Sequence, residues 1–370
     1  MKILITGNMG YVGPAVVSHL RREMPDCLLV GVDTGLFAHC LTQANLPERL
    51  LNSQVFADVR DLPAELFKGV DAVVHLAAVS NDPMGGRFEA VTAEINHRAT
   101  LRTAELAARM GVRNFVFASS CSMYGFAEGG ARTETDELNP LTAYSRSKVA
   151  AETGLGEIAR NSQMTVSALR FATACGFSGR TRLDLVLNDF VASALRTGRV
   201  SVLSDGTPWR PLIHVNDMAR AIEWALLRQD GGNFLAVNVG SEDWNYQVRE
   251  LAEAVAASVP GTVVEINKDA PPDRRSYRVN FDLYRRLAPA HQPQVTLAGA
   301  IADLKTGLDA AGLKDPTYRS AQLVRLNVLT QAIDGGSLGT DLRYTANPSD
   351  RSYISGFKDP AHRTRQAMPG

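Results

Sequence analysis

The stretch "MKILITGNMGYVG", residues 1–13, decides the fold. Residues 3–6 form an apolar run that predicts a short buried strand. Gly7, Gly10 and Gly13 follow it in a GxxGxxG pattern that opens the helical pattern of residues 11–24. Such a loop must turn tightly, let backbone N–H groups reach a pyrophosphate and seat a helix N-terminus against it. Each of those tasks excludes a side chain. The next predicted strand, residues 28–33, ends in Asp33, about twenty positions past the loop. A carboxylate there accepts from both ribose hydroxyls of a dinucleotide and repels a 2′-phosphate. No Arg or Lys follows within "TGLFAHC", so NAD is expected in preference to NADP.

Further strands are expected at residues 55–57, 72–76, 114–118 and 166–171, with helical patterns at 88–110 and 144–160. Strands alternating with helices imply right-handed crossovers and an α/β fold with a doubly wound parallel sheet. After Phe171 the rhythm loosens, with a helix at 183–196 and then "GRVSVLSDGTPWRPLIHVNDMARAIEWAL", read as strand, turn, strand and helix. Later patterns predict a helix at 246–258, a strand at 263–266 and helices at 297–311 and 320–332. The expected organisation is a Rossmann-type dinucleotide domain of residues 1–175 plus about 208–240, the chain returning to the sheet around 213–239. A smaller α/β substrate domain takes about 176–207 plus 241–335, and 336–370, rich in Gly, Pro, Ser, Asp and Arg, reads as a loosely packed tail.

Bulk properties narrow the class. At 370 residues the chain is too long for one small core. Lys plus Arg equals Asp plus Glu at 39 each, so no global charge favours nucleic acid or anionic lipid. Cys27, Cys40, Cys121 and Cys175 show no metal-ligand spacing, so no metal is expected and reduced thiols are. No apolar run reaches membrane-spanning length, and the expectation is a soluble cytoplasmic protein.

The glycine loop predicts a cofactor cradle of Gly7, Met9, Gly10, Tyr11, Val12 and Gly13, completed by Asp33. Asp58 and Val59 in "ADVRD" stand where an adenine edge is held, and Leu76, Ala77 and Ala78 end a strand across which a cofactor can lie, as Ala118 and Phe171 end others. Two further elements add chemistry. "AYSRSK" places Lys148 four residues after Tyr144, on one face of a helix, and "NFVFASSCSMYGF" releases Ser119, Ser120, Cys121 and Ser122 at a strand end. Alone, the first is an ordinary helix pair and the second an ordinary turn.

Together with the glycine loop these motifs resemble the extended short-chain dehydrogenase/reductases of the nucleotide-sugar epimerase/dehydratase type, over residues 1 to about 311. The resemblance implies a Tyr–Lys–Ser/Thr trio whose hydroxyl lies just before a "VYG"-like element, here "MYG", which selects Ser120 beside Tyr144 and Lys148. A Lys148 ammonium favours the Tyr144 phenolate, Tyr144 takes the sugar hydroxyl proton, and Ser120 holds the same oxygen. Asn96 resembles the family's Asn near the cofactor, and equally fits a core Asn.

The resemblance also places a nucleotide-diphosphate sugar. "RPLIHVND" offers Arg210, "LDLVLNDF" offers Asn188 and "DRRSYRV" offers Arg275, with Arg274 beside it, to the diphosphate. Ser80 and Asn81 fall near the sugar, and Thr173 stands where the family often has Asn. In the family's 4,6-dehydratases the residues around the catalytic hydroxyl resemble T-D-E; here Cys121 and Ser122 follow Ser120, a poor pair for losing water, and both are placed along the substrate, Cys121 read as a small space-filling side chain in preference to a thiol acid/base. The expected activity is therefore an NAD-dependent nucleotide-sugar epimerase acting through a 4-keto intermediate. The alternatives are an NAD(P)H-dependent 4-ketoreductase and a non-catalytic dinucleotide-binding scaffold or sensor. The family implies a homodimer through helices 88–110 and 144–160.

Overall fold

Alternation of side chains along the apolar runs explains the main sheet. In the strand β1 (Lys2–Thr6), Ile3 and Ile5 point to one face and Leu4 to the other, and both faces are buried. A strand covered on both sides reads as a continuous apolar run and belongs in a parallel sheet. The others are β2 (Leu28–Asp33), β3 (Ser53–Phe56), β4 (Ala72–His75), β5 (Asn114–Ser120), β6 (Thr165–Phe171), β7 (Thr173–Cys175), β8 (Arg199–Val202), β9 (Trp209–His214), β10 (Phe234–Val239), β11 (Asn245–Gln247) and β12 (Val263–Ile266). The computed structural model describes residues 1–127, 129–228, 232–270, 275–313 and 322–345.

Seven of these strands form one parallel sheet in the order β10-β6-β5-β4-β1-β2-β3. The order reverses between β1 and β4, which opens a crevice at their carboxyl ends, where ligands of doubly wound sheets bind. The first helices are α1 (Gly13–Glu23), α2 (Asp82–Arg87), α3 (Glu89–Ala93), α4 (Thr100–Arg109), α5 (Ala143–Arg160), α6 (Val186–Thr197) and α7 (Val215–Leu227). They are followed by α8 (Val248–Ser258), α9 (Asp282–Leu287), α10 (Leu297–Ala310) and α11 (Arg325–Asp334). Residues of α1 and α7 share one core cluster with Ile3, Ile5 and Val74, while those of α4 and α5 share another with Leu4, Val73 and Phe115. A third cluster joins α6, α8 and α10 to Val200 and Leu212.

Several expectations are corrected. The helix expected over 88–110 is α3 and α4 joined by a π-helical turn, Glu94–Ala99. Such turns rotate the side chains that follow. The strand carrying the serines runs on through Ser119 and Ser120. Around Ile213 the chain does not rejoin the main sheet. There β9 pairs in parallel with β7 and antiparallel with β11, and only β10 returns. The short strands β7 and β11 had no pattern long enough to show. The helix expected at 320–332 is described from Arg325 to Asp334, Ser320 lying outside the described residues.

Residues Met1–Val328 make one unit and Leu329–Gly370 a second. In the second, Leu338 and Tyr344 form an antiparallel bridge, and Leu338 and Leu342 are buried. Most of the expected tail, residues 346–370, lies outside the described residues. Among the described residues no helix is long and apolar enough to cross a membrane.

Candidate active site

The glycine loop fills the crevice at the end of β1. Gly7 turns with φ of 73°, and a Cβ there would lie 2.5 Å from the backbone nitrogen of Ala77. Leu76 N–H donates to the Thr6 carbonyl at 3.0 Å, so the ends of β1 and β4 touch at this point. Gly13 opens α1, and a Cβ there would sit 2.1 Å from the Asn8 carbonyl oxygen. Neither position admits a side chain. Asp33 ties the loop from β2: its Oδ2 accepts from Met9 N–H at 3.0 Å and its Oδ1 from Gly35 N–H at 2.8 Å. Burial raises the Asp33 pKa, and the two backbone bonds oppose it. Tyr11 is buried and donates to the Gly176 carbonyl at 2.6 Å. Val12, Leu76, Ala77 and Ala78 stay partly exposed along the crevice.

The predicted trio converges beside it. α5 starts at a capping box in which Thr142 and Ser145 satisfy each other's backbone N–H, so Tyr144 sits in the first turn. Lys148, one turn on, faces the sheet at 3% exposure and donates from Nζ to the Ala118 carbonyl at 2.7 Å. Its Nζ lies 4.6 Å from the Phe117 ring centre and 5.6 Å from that of Tyr144. Burial draws the Lys148 amine down to about 7, and the Glu152 carboxylate draws it the other way. Burial pushes the Tyr144 phenol up to about 12, against the hydrogen bond it shares with the Ser120 side chain. Ser120 in turn donates to Ser122 Oγ at 3.0 Å and accepts from Ser122 N–H at 3.1 Å.

On the open side, Asn81 caps α2 through Met84 N–H at 2.9 Å and donates to Asp184 Oδ2 at 2.7 Å. Ser80 Oγ accepts from Arg182 Nη1 at 2.7 Å. Asp82 accepts from Thr142 Oγ1 at 2.7 Å and from Arg275 Nη1 at 3.1 Å, so Arg275 reaches the turn that holds Tyr144. Thr173 pairs with Leu212 of β9, which also carries Arg210, bonded to the Trp209 carbonyl at 2.9 Å. Arg274 lies outside the described residues.

Residues 3–240 match the profile of the NAD dependent epimerase/dehydratase family. The chain belongs to that family. A dTDP-glucose 4,6-dehydratase of Streptomyces griseus is 27% identical over 310 residues, 81% of this chain and 92% of that one. A UDP-glucose 4-epimerase of Corynebacterium glutamicum is 29% identical over 271 residues, 68% of this chain and 79% of that one. Among solved structures, MoeE5 in complex with UDP-glucose and NAD is 25% identical with a TM-score of 0.72, covering 84% of this chain and 99% of its own. The protein is an NAD-dependent enzyme of this family, related to nucleotide-sugar epimerases and dehydratases. Its residues fit that cofactor. Gly7 and Gly13, where a Cβ would strike the backbone of Ala77 and Asn8, let the loop turn tightly at the end of β1, and the Asp33 carboxylate closes β2 beside it, bonded to Met9 N–H.

As a family member, this chain departs from the sequence reading at several site residues. Cys121 does not face the substrate side. It is wholly buried, its thiol donates to the Arg170 carbonyl at 3.0 Å, and burial pushes that thiol far up. Asn188 is wholly buried too, accepting from Gly176 N–H at 3.0 Å and donating to Tyr11 Oη at 3.0 Å and the Arg182 carbonyl at 2.9 Å, so its amide is spent inside the protein. Asn96 is a buried clasp. It accepts from Val79 N–H at 2.8 Å and donates to the Val79 carbonyl at 2.9 Å and Ser147 Oγ at 3.1 Å, fixing the chain after β4 against α5. Phe171 and Val59 are core side chains, and the Asp58 carboxylate grips the buried Arg60 at 2.6 Å.

Arg182 and Asp184 were missed. They pair at 2.9 Å next to Ser80 and Asn81, yet "RTRLD" reads locally as nothing more than an i,i+2 ion pair. Asp82 was missed as well, since "SNDP" reads as a helix start.

Proposed function

We propose that the protein is a nucleotide-sugar 4-epimerase working through a 4-keto sugar. NAD, when bound, supplies a reversible two-electron acceptor. At C4 the C–H bond and the O–H bond break as C=O forms, and the reverse step on the other face restores both. Tyr144 takes and returns the O4 proton, Ser120 holds that oxygen, and the Lys148 charge favours the phenolate. A phenol at about 12 is a weak base at neutral pH, so a nearby positive charge is needed for the proton to move. Gly7 to Gly13 and Asp33 take the cofactor, and Ser80, Asn81, Ser122, Thr173, Arg210 and Arg275 line the nucleotide sugar.

One observation carries the choice of epimerase over dehydratase. Where a dehydratase needs carboxyls to move protons at C5 and C6, this chain has a Cys121 sealed in the core and a Ser122 bonded to Ser120. Residues 1–175 with 208–240 are read as the cofactor half and 176–207 with 241–335 as the substrate half. A cytoplasmic homodimer through α3, α4 and α5 completes the proposal. The four thiols are buried and unpaired, as a reducing compartment allows.

The test is incubation of the purified enzyme with UDP-, GDP- and dTDP-hexoses in deuterated water, after measuring NAD released on denaturation. A C4 epimer free of carbon-bound deuterium is expected. Deuterium in a deoxy product would make it a dehydratase, and a demand for stoichiometric reduced cofactor would make it a ketoreductase.

A further inference from the structure

Lys148 and Glu152 lie one turn apart on the buried face of α5 and meet consecutive residues of β5. Lys148 Nζ donates to the Ala118 carbonyl at 2.7 Å, and Ser119 Oγ donates to Glu152 Oε1 at 2.5 Å. From β6, Arg170 closes on the same carboxylate, Nη2 to Oε2 at 2.8 Å and Nε to Oε1 at 3.2 Å. Arg170 Nη1 then donates to Tyr124 Oη at 3.1 Å and to the Glu134 carbonyl at 3.2 Å. Exposure is 3% for Lys148, 5% for Glu152 and 6% for Arg170, so a carboxylate held by Arg170 and Ser119 lies one helical turn from a buried amine inside a closed core. Burying these groups is costly unless each is paired and hydrogen-bonded. A buried lysine with no counter-charge gives up its proton.

We propose that Glu152, clamped by Arg170 and Ser119, is a positioning residue that favours the charged form of the Lys148 amine beneath Tyr144. This rests on the reading of Lys148 as the active-site amine. Arg170 takes part of the carboxylate's charge, so the amine is neither locked as an ammonium nor stripped of its proton. Its pKa agrees, drawn down by burial and up by Glu152. The other titratable groups facing this site do not change charge near neutrality. His75 on β4 is held down to about 3 by burial and by the Lys148 charge, between Thr6 and Thr100. Tyr144 on α5 is raised by burial, as are Tyr124 and Cys121 behind Glu152.

The experiment titrates the ¹³Cε resonances of the full chain labelled with ¹³C-lysine, the Lys148 signal being the one lost in Lys148→Met. Glu152→Gln should lower the Lys148 midpoint by about one pH unit or more, because a carboxylate favours the ammonium. Glu152→Asp should return it towards the wild-type value. A folded Glu152→Gln with an unchanged midpoint overturns the proposal. Should Glu152→Gln fail to fold with Arg170 left unpaired, the Glu152→Gln/Arg170→Gln pair is compared with Arg170→Gln alone, and equal midpoints in those two overturn it equally. The readout needs no turnover, so an error in the reaction proposed above shows as inactive wild-type enzyme and leaves this result standing.

Discussion

Arg182 binds Ser80 and Asp184 at once: Nη1 donates to Ser80 Oγ at 2.7 Å, while Nε and Nη2 hold the two oxygens of Asp184 at 2.9 Å each. Asp184 also takes Asn81 at 2.7 Å, so the chain after β4 is fixed to the segment after β7 by one buried guanidinium. Replacing Arg182 by Met leaves Asp184 with little solvent and half its partners, which should cost about 3 kcal/mol of stability. Urea unfolding measures this, and a midpoint equal to wild type would mean the loops are held by something else.

Tyr144→Phe removes the hydroxyl proposed to carry the O4 proton and leaves the ring in place. Turnover should fall by about 10²- to 10⁴-fold, the usual contribution of a positioned proton-transfer group. NAD content after purification should be unchanged. Activity within a few-fold of wild type would take Tyr144 out of the chemistry.

The Lys148 amine makes stability depend on pH. Its pKa is 10.5 ordinarily and about 7 in the fold. Below pH 7 the fold keeps a buried ammonium and carries the whole penalty. Between pH 7 and 10.5 the unfolded chain binds more protons than the folded one, so the amine's contribution to stability rises with pH. Lys148→Met abolishes that slope. The stability difference, variant minus wild type, should therefore be largest below pH 7 and shrink towards pH 10, read from melting curves without added cofactor. A constant difference would show that burial does not perturb this amine.

Cys121→Ala tests whether the thiol following Ser120 has a chemical role. The site is sealed, so the variant should lose about 1–2 kcal/mol to the small cavity and keep its kcat. A large fall in kcat with an unchanged melting temperature would return the thiol to the active site.

The elements of the proposed cofactor site were legible because their signals are local. A glycine loop after a strand, with Asp33 closing the next strand, constrains backbone conformation over a few residues, and the backbone obeys it. Tyr144 and Lys148 are likewise four apart on one helix, so sequence spacing alone puts them on one face. Asn188 and Cys121 were misplaced because a polar side chain of the right type at the right offset says nothing of which way it points. Only the packing of Tyr11 and Gly176 around one, and of Arg170 around the other, turns them inward.

The sequence by itself determined the alternation of strands and helices that builds the main sheet, the glycine loop and the spacing of Tyr144 and Lys148 on one helix face, since each follows from periodicity or backbone constraint within a short window. Only the tertiary structure decided that Arg182 reaches Ser80, 102 residues away, and that Arg170 meets Glu152 across the β6–α5 layer. Those contacts join segments whose proximity is a property of the closed sheet, and burial within it gives their charges their partners and their shifted pKa values.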